Sequence, residues 1–327
     1  MNKFIANIIT FSIILLSVFY ILNIVITTGL RKSDMIIHSN LAKLYNGKIN
    51  ADLVINGSSK AYVQVSPKII DAVLNLNSYN LGLDGNFFIL QKLQYELYEK
   101  YNKLPKIIIQ IVSIETLKKA EGELYNYIRW APYIDIEEVR NITKLYKGFS
   151  YIDYHLPFFR YFGYPIEIIE GILSSLNIHI SASPLYKGYR SHDMPWDRSF
   201  DKFKKTNKNG IDISLDKVTC DLFEDYIKNC KNNNIMVFLV YPPTYHKFKR
   251  YVNNREKLLA YYTKVSLKYN VPFLDFSQDE LSKNKKYFYN SQHLNKEGSE
   301  IFTQKLAEEI KVRTHNLQEE IICNLNS

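Results

Sequence analysis

The stretch that decides the fold is "DLVINGSSKAYVQVSP", Asp52 to Pro67. A short apolar run leads into a glycine and two serines, the pattern of a buried strand followed by a tight turn. At the end of the first strand of a parallel sheet, such a serine lies where backbone amides and a helix N-terminus converge. It can act as a nucleophile if a base reaches it. An isolated Gly-Ser-Ser is more often a turn with capping hydroxyls, and both interpretations stay open here.

Four more apolar runs follow along the chain, separated by amphipathic stretches. This alternation predicts an α/β fold, a five-stranded parallel sheet covered by helices on both faces. By analogy with other sheets of this type, we expect a flavodoxin-like three-layer sandwich with the strand order 2-1-3-4-5. The predicted strands are 52–57, 78–82, 106–112, 235–241 and 271–276, and the predicted helices are 66–74, 86–102, 215–231, 251–269 and 295–311.

The N-terminus carries a membrane signal. Phe4 to Leu30 is a run of 27 residues without a charge, and as a helix it reaches about 40 Å, enough to cross a bilayer. It lacks the short apolar core and the small-residue cleavage site of a signal peptide, so we predict an uncleaved anchor in residues 1–35. Lys3 precedes the apolar run, and Arg31 and Lys32 follow it. The positive-inside rule therefore gives almost no preference for either orientation of the helix in the membrane.

Charge and cysteine content exclude two classes of protein. The net charge is +9, with the lysines scattered rather than grouped with aromatic residues, so nucleic-acid binding is disfavoured and proximity to anionic lipid or glycan is favoured. Cys220, Cys230 and Cys323 give no disulfide framework. Cys220 and Cys230 would lie about 15 Å apart on one predicted helix, too far for a disulfide.

The segment between the third strand and the helix at Leu215 is too long for an ordinary connection. This predicted insertion, about 115–214, is rich in tyrosine, phenylalanine and tryptophan. Insertions at the C-terminal edge of a parallel sheet often form a lid or a binding wall. A helical subdomain whose aromatic side chains only pack on each other is equally favoured. The expected organisation is therefore an anchor, 1–35, and one domain, 36–327, with this insertion.

Two further stretches follow the ends of predicted strands. "NLGLDGNFF", Asn80 to Phe88, has glycines at 82 and 85, and a free amide there could donate to an oxyanion. "FYNSQHLNKEG", Phe288 to Gly298, supplies His293. Together with Ser59 these positions face the same edge of the sheet and offer the nucleophile, oxyanion donor and base that acyl transfer needs.

On these motifs the chain resembles the SGNH (GDSL-like) hydrolase superfamily, from Asp52 to about Lys311 but not in the insertion. It is most similar to the membrane-anchored branch with D-alanine transfer proteins of teichoic acids and alginate O-acetylation enzymes. The resemblance implies Ser59 as the nucleophile, His293 as the base, and the amides of Ser59 and Gly85 as oxyanion donors. It implies no metal and no organic cofactor.

The chain departs from the family pattern at two places. The third family block, Gly-x-Asn-Asp, is replaced by "IVSIETL", so that Ser113 is the nearest polar substitute for the oxyanion asparagine. Asn290 stands where the family has the aspartate that orients the histidine. Asp275 and Asp279 are alternative carboxylates for that role, although no spacing rule places either of them beside His293.

The resemblance implies a membrane-anchored serine esterase or O-acyltransferase. Its substrate would be an acylated cell-envelope or exported polysaccharide or a small acyl ester, its domain would be extracytoplasmic, and a membrane O-acyltransferase would be a natural partner. The alternative is a non-catalytic glycan-binding or polysaccharide-assembly protein with a degenerate SGNH fold, because Asn290 and the missing third block are marks of lost turnover.

Overall fold

The computed structural model describes residues 2–180 and 182–325, and side chains in 3–180 and 182–314; the side chain of Cys323 lies outside these ranges. Helices form where the sequence is amphipathic or uniformly apolar. Their bounds are α1 Asn2–Leu30, α2 Ser39–Tyr45, α3 Ser59–Gln64, α4 Pro67–Leu74, α5 Phe88–Tyr101, α6 Glu137–Thr143, α7 Tyr151–His155, α8 Pro165–Ser175, α9 Ser199–Thr206, α10 Lys217–Asn232, α11 His246–Lys249, α12 Arg255–Tyr269 and α13 Lys296–Leu325.

The described chain contains one sheet of five parallel strands. They are β1 Leu53–Asn56, β2 Ser78–Asn80, β3 Ile107–Ile111, β4 Met236–Tyr241 and β5 Phe273–Asp275. The order is β2-β1-β3-β4-β5 and every neighbouring pair is parallel. The predicted α/β class and strand order are therefore confirmed, and the carboxyl ends of β1, β2 and β5 share one edge of the sheet.

Helices cover both faces of this sheet. On one face the aromatic side chains of α5, α10 and α12 pack edge to face, with Phe223 of α10 between Phe88 and Tyr262. On the other face α13 packs against α3 and α4. The strands themselves are almost wholly buried, as expected for a parallel sheet between two helical layers.

Several helices differ from the sequence prediction. The last helix, predicted at 295–311, continues to Leu325, and the helices α2, α3, α6, α7, α8, α9 and α11 were not predicted. The helix predicted at 251–269 begins only at Arg255, because Tyr251 O and Asn253 N hydrogen-bond with Ile211 and hold those residues in a bridge. The six-residue helix α3 was not predicted, since one and a half turns leave little periodicity to detect. Its last carbonyls are satisfied by the side-chain amide of Asn80, which donates to Ala61 O at 2.7 Å and to Val65 O at 2.8 Å.

The chain divides into two compact units. The sheet unit comprises Asn50–Glu99, Lys103–Lys119 and Leu185–Ser327, and the N-terminal unit comprises Met1–Ile49, Lys100–Asn102 and Ala120–Pro184. The predicted insertion is thus shared between them: residues 120–184 group with α1, and residues 185–214 group with the sheet.

In the N-terminal unit, α1 and α8 pack closely. A Cβ built on Gly29 would lie 1.6 Å from the carbonyl oxygen of Gly171, so the two backbones touch where both helices have no side chain. Among the described residues, only α1 is long and apolar enough to cross a membrane, with a mean hydropathy of 2.5 over its best window. Its first two thirds are exposed and its last turns are covered by the unit.

Candidate active site

The structure brings Ser59 and His293 into direct contact. Ser59 is the first residue of α3, immediately after the turn that ends β1, and His293 lies in the loop before α13. The Ser59 hydroxyl and the His293 Nε2 are 2.8 Å apart. The two residues are 234 positions apart in the chain, so this contact depends on the tertiary fold.

Asn290 determines which nitrogen of His293 carries the proton. Its Oδ1 accepts hydrogen bonds from the backbone amides of Gln292 and His293, both at 2.9 Å, which identifies that atom as the oxygen of the side-chain amide. The same oxygen lies 3.0 Å from His293 Nδ1. Nδ1 must therefore donate to it, and Nε2 is left with its lone pair towards the Ser59 hydroxyl.

The two aspartates considered as alternatives are engaged elsewhere. Asp275 Oδ1 accepts from the backbone amide of Ser277 at 2.8 Å. Asp279 caps the turn at Leu281 and forms an ion pair of 2.7 Å with Lys305. Asn290 thus holds the imidazole, and it does so without a negative charge.

The Ser59–His293 pair opens onto a cavity of about 290 Å³. Gly85 lies at its wall with φ at +70°, a left-handed conformation that favours glycine and explains the residue type there. Ser113 also lines the cavity, although its hydroxyl already accepts from Glu115 N at 3.2 Å. The lining residues are Ser58, Ser59, Lys60, Gly85, Asn86, Phe87, Ser113, Glu115, Thr116, Gln292 and His293.

Asn86 is a site residue that the sequence analysis missed. It lines the cavity and is 3% exposed, yet within the described part of the chain neither Oδ1 nor Nδ2 has a hydrogen-bond partner. A buried amide without partners is costly unless a ligand satisfies it. Its place directly after Gly85, in the stretch chosen as the oxyanion loop, was the signal in the sequence.

A buried network of amide side chains supports this loop. Asn56 at the end of β1 donates to Gln110 Oε1, and Gln110 donates to Gln91 Oε1, both at 3.0 Å. Gln91 in turn donates to the backbone oxygen of Asn86 at 2.9 Å. The sheet therefore fixes the backbone at Asn86 through polar contacts that are shielded from water.

A second set of contacts attaches α3 to the histidine loop. Gln64 Oε1, at the end of α3, accepts from Leu294 N at 3.2 Å, next to His293. Thr303 of α13 donates to Gln64 O at 3.1 Å and accepts from Ser66 N at 3.1 Å. These bonds set the position of the serine helix relative to the histidine.

Two further rings form a stacked series with the imidazole of His293. Tyr289 stacks on His293 with ring centroids 5.4 Å apart, and His192 stacks on Tyr289 at 4.8 Å. His192 comes from the end of the predicted insertion, and its backbone oxygen accepts from Lys296 N at 2.8 Å. Neither Tyr289 nor His192 carried a recognisable signal in the sequence.

The surroundings of His293 keep it neutral. Loss of hydration first, then the positive charge of Lys60, and last repulsion from His192 when that ring is also protonated, lower the pKa of His293 from 6.5 to about 3. The ring is accordingly in its base form at neutral pH. No three histidine, cysteine, aspartate or glutamate side chains form a metal-like group in the described chain.

Neither a family model nor a curated protein sequence matches the chain. Among solved structures it is similar to a family two carbohydrate esterase from Clostridium thermocellum, with 12% identity, 80% of this chain and 64% of that chain covered, and a TM-score of 0.40. It is also similar to a GDSL-like lipase from Bacteroides thetaiotaomicron, with 11% identity, coverages of 79% and 88%, and a TM-score of 0.34. Likenesses this weak carry no weight for function.

The lowered pKa of His293 predicts a pH-dependent stability. Below pH 6.5 the unfolded chain takes up a proton at His293 that the folded chain excludes. The free energy of unfolding should therefore fall as the pH falls from 6.5 towards 5, by up to about 1.4 kcal/mol per pH unit from this residue. In His293→Gln this part of the slope should disappear, while buried His38, whose pKa is also lowered, still contributes.

The measurement is urea unfolding of the full chain in detergent at several pH values. His155→Gln is the matched control, because His155 is exposed on α7. Equal slopes for wild type and His293→Gln would show that His293 is not held neutral.

Proposed function

We propose that the chain is a membrane-anchored serine esterase or O-acyltransferase of the SGNH type. The observation that carries this proposal is the hydrogen-bonded series Asn290, His293, Ser59, which ends at a cavity. A serine hydroxyl on the lone pair of a neutral, oriented imidazole is the arrangement of an activated nucleophile.

In this mechanism Ser59 Oγ attacks the carbonyl carbon of an ester while His293 Nε2 takes the hydroxyl proton. The tetrahedral intermediate collapses to an acyl-serine, and His293 returns the proton to the departing alcohol. Water then releases the acid, or a sugar hydroxyl accepts the acyl group, with His293 removing the proton of that second nucleophile. Hydrolase and transferase differ only in this acceptor.

In this chain the side-chain amide of Asn86 takes the role of the oxyanion asparagine in the third family block, which the chain lacks. Its unpartnered side-chain amide lies in the same cavity wall as Gly85, whose backbone amide is the donor implied by the resemblance. Together with the backbone amide of Ser59 they form the proposed oxyanion hole, and Ser113 remains a hydroxyl on the cavity wall. Donors of this kind act mainly on the charge that develops in the transition state.

The cellular setting completes the proposal. α1 anchors the chain in a membrane as a single-pass helix, and the sheet unit acts outside the cytoplasm on an acylated cell-envelope or exported polysaccharide or on a small acyl ester. A membrane O-acyltransferase is the proposed source of acyl groups. The support is the exposed apolar length of α1 and the site described above.

A non-catalytic glycan-binding protein is the second candidate. The observation in its favour is Asn290, which orients His293 but has no charge to stabilise the imidazolium that forms in the reaction.

Ser59 should react covalently with a fluorophosphonate probe. The reagent is attacked by an activated serine, so the wild type should be labelled and Ser59→Ala should not. Ser199→Ala, at an exposed serine on α9, should label like the wild type. Mass spectrometry of the labelled peptide gives the site. Persistent absence of labelling on well-folded wild type would favour the glycan-binding protein instead.

Replacing Asn86 by alanine should lower kcat for ester hydrolysis by about 10²- to 10³-fold with little change in KM, because the lost donor acts on the transition state. A small activated acetyl ester is a suitable substrate. Asn233→Ala, at an exposed asparagine after α10, serves as the control. A kcat of Asn86→Ala within twofold of wild type would remove Asn86 from the oxyanion hole.

A further inference from the structure

The cavity wall contains a lysine that the reaction described above does not use. Lys60 follows Ser59 in α3, lines the cavity and is 3% exposed. Its Nζ is fully buried and, within the part of the chain that the structure describes, has no hydrogen-bond partner. The ammonium lies over the face of the Tyr241 ring, 5.4 Å from its centroid.

The charges around Lys60 do not neutralise it. Glu115, on the cavity wall, attracts the ammonium but is partly exposed and already pairs with Lys118 at 3.5 Å. Arg255, 5.9 Å from the same Tyr241 ring, repels it. Burial therefore lowers the pKa of Lys60 to about 8, which still leaves it mostly charged at neutral pH. A buried ammonium that makes no hydrogen bond to a carboxylate is rare in a protein interior.

We propose that Lys60 is the anion-binding point of this cavity and that the substrate is an ester carrying a carboxylate. The inference rests on the proposed function for the reaction itself. The carboxylate can belong to the acyl group, as in a dicarboxylic half-ester, or to the sugar, as in an acylated hexuronate. One ammonium matches one carboxylate, and the unpartnered amide of Asn86 remains available for the ester oxygen.

The bound carboxylate would also act on the base. Lys60 opposes protonation of His293, and Asn290 supplies no compensating charge. A substrate carboxylate at Lys60 cancels this repulsion, so that His293 becomes a stronger base only when the correct substrate is present. The preference for anionic esters should therefore appear in kcat as well as in KM.

The test compares matched pairs of esters with full-length protein in detergent. Mono-4-nitrophenyl glutarate against 4-nitrophenyl pentanoate tests the acyl source, and an O-acetyl methyl hexuronoside against the O-acetyl methyl hexoside tests the sugar source. For at least one pair, wild type should prefer the anionic ester by about 10- to 100-fold in kcat/KM. Lys60→Met should lose this preference, so that its kcat/KM values for the two esters of that pair become similar.

Lys264→Met removes a charge from an exposed position of α12 and should keep the preference. The preference should also decline as the pH rises above 8, because Lys60 loses its proton. If Lys60→Met lowers neutral and anionic esters by the same factor, or if wild type prefers neither anionic ester, the carboxylate proposal is wrong.

Direct binding separates this proposal from the proposed function. Calorimetry with Ser59→Ala should show binding of glutarate or of methyl hexuronoside that Ser59→Ala/Lys60→Met lacks. Binding without any turnover by wild type would sustain the anion site and overturn the enzyme. Turnover of neutral esters by the wild type, without binding of glutarate or methyl hexuronoside, would support the enzyme and overturn the anion site.

A separate observation concerns α8 of the N-terminal unit, which carries large apolar side chains on its exposed side as well as on its packed side. Its face towards α1 carries Gly171, which touches Ile26, and the buried Glu170, which accepts from Ser33 at 2.5 Å. Its outer face carries Ile166 and Ile169, which are 65% and 54% exposed. Its packed side also carries Ile168 and Ile172, which lie against the buried cluster around Ile26 and Leu30. A helix with large apolar side chains on both its packed and its exposed side is typical of a lipid environment.

This outer face continues into the segment before α8. We define the apolar face as Tyr151, Phe159, Phe162, Ile166, Ile169 and Leu176, all of which are exposed. Several large exposed apolar side chains within one short segment mark an interaction site.

The same segment lies along α1 inside its apolar span. Phe19 stacks on Phe158 with centroids 5.4 Å apart, and Asn23 Oδ1 accepts from Phe158 N at 3.2 Å. About 20 residues of helix fill a hydrocarbon core of about 30 Å. Counted from either end of the run Phe4 to Leu30, that length includes Phe19. If α1 crosses the bilayer, the residues packed on Phe19 must lie at membrane depth.

We infer that the apolar face is embedded in the lipid leaflet that surrounds the last turns of α1. The occupant of this face is lipid, because Phe158 and Phe159 of the same segment pack on Phe19 of α1, a helix whose exposed side chains from Phe4 to Ile24 are uncharged and mostly apolar. This inference rests on the proposed anchoring by α1.

The depth of single residues in the bilayer tests whether the apolar face is embedded. Single cysteines are introduced for this purpose into a variant that lacks the native cysteines. Phe162→Cys and Ile166→Cys, labelled with bimane in liposomes, should be quenched by nitroxide lipids, as should Phe11→Cys in α1. Glu137→Cys, exposed on α6, should be quenched only by soluble quenchers.

Quenching at Phe11 without quenching at Phe162 and Ile166 would overturn the embedded face and leave the anchor intact. Absence of quenching at all three positions would remove the anchor itself. Cross-linking between two copies through Ile166→Cys, without lipid quenching, would show that protein covers the face and would equally overturn the inference.

Discussion

The candidate site depends on the attachment of the short helix α3 to the loop before α13. Gln64 accepts from the backbone beside His293, and Thr303 links the end of α3 to α13 from the other side. A helix of six residues has little stability of its own. These buried hydrogen bonds, together with the Asn80 amide on its last carbonyls, keep Ser59 at 2.8 Å from His293.

The electrostatics of the site differ from those of a triad with an aspartate. Asn290 fixes the tautomer of His293 but adds no charge, and Lys60 adds a positive charge close by. Both make the imidazolium harder to form, so in the proposed mechanism the free site would be a weak catalyst. A substrate with a negative charge beside Lys60 would make the imidazolium easier to form. The neutral Asn290 and the positive Lys60 would then have one common explanation, a substrate that supplies the missing negative charge.

The N-terminal unit follows a different rule of packing. Glycines let the backbones of α1 and α8 approach each other, and large apolar side chains lie on the exposed surface of the unit as well as in its buried cluster. In water this distribution would be unfavourable, because burial of apolar surface drives soluble folding. In lipid it is the expected one, since helices associate there through close contact and hydrogen bonds.

The sequence by itself determined the α/β class, the strand order and the positions of Ser59, His293 and Asn290. The class and the positions follow from local information: apolar runs of strand length, residues directly after strand ends, and a spacing of three between Asn290 and His293. The strand order was expected by analogy with other parallel sheets of this type. Their catalytic roles stay predictions. The tertiary structure alone decided the burial of Lys60 and Asn86, the role of Gln64, the stacking of Tyr289 and His192, the start of α12 at Arg255 and the division of the insertion. Each of these depends on which distant segments meet, and burial and hydrogen bonding between such segments leave no periodic pattern in the sequence.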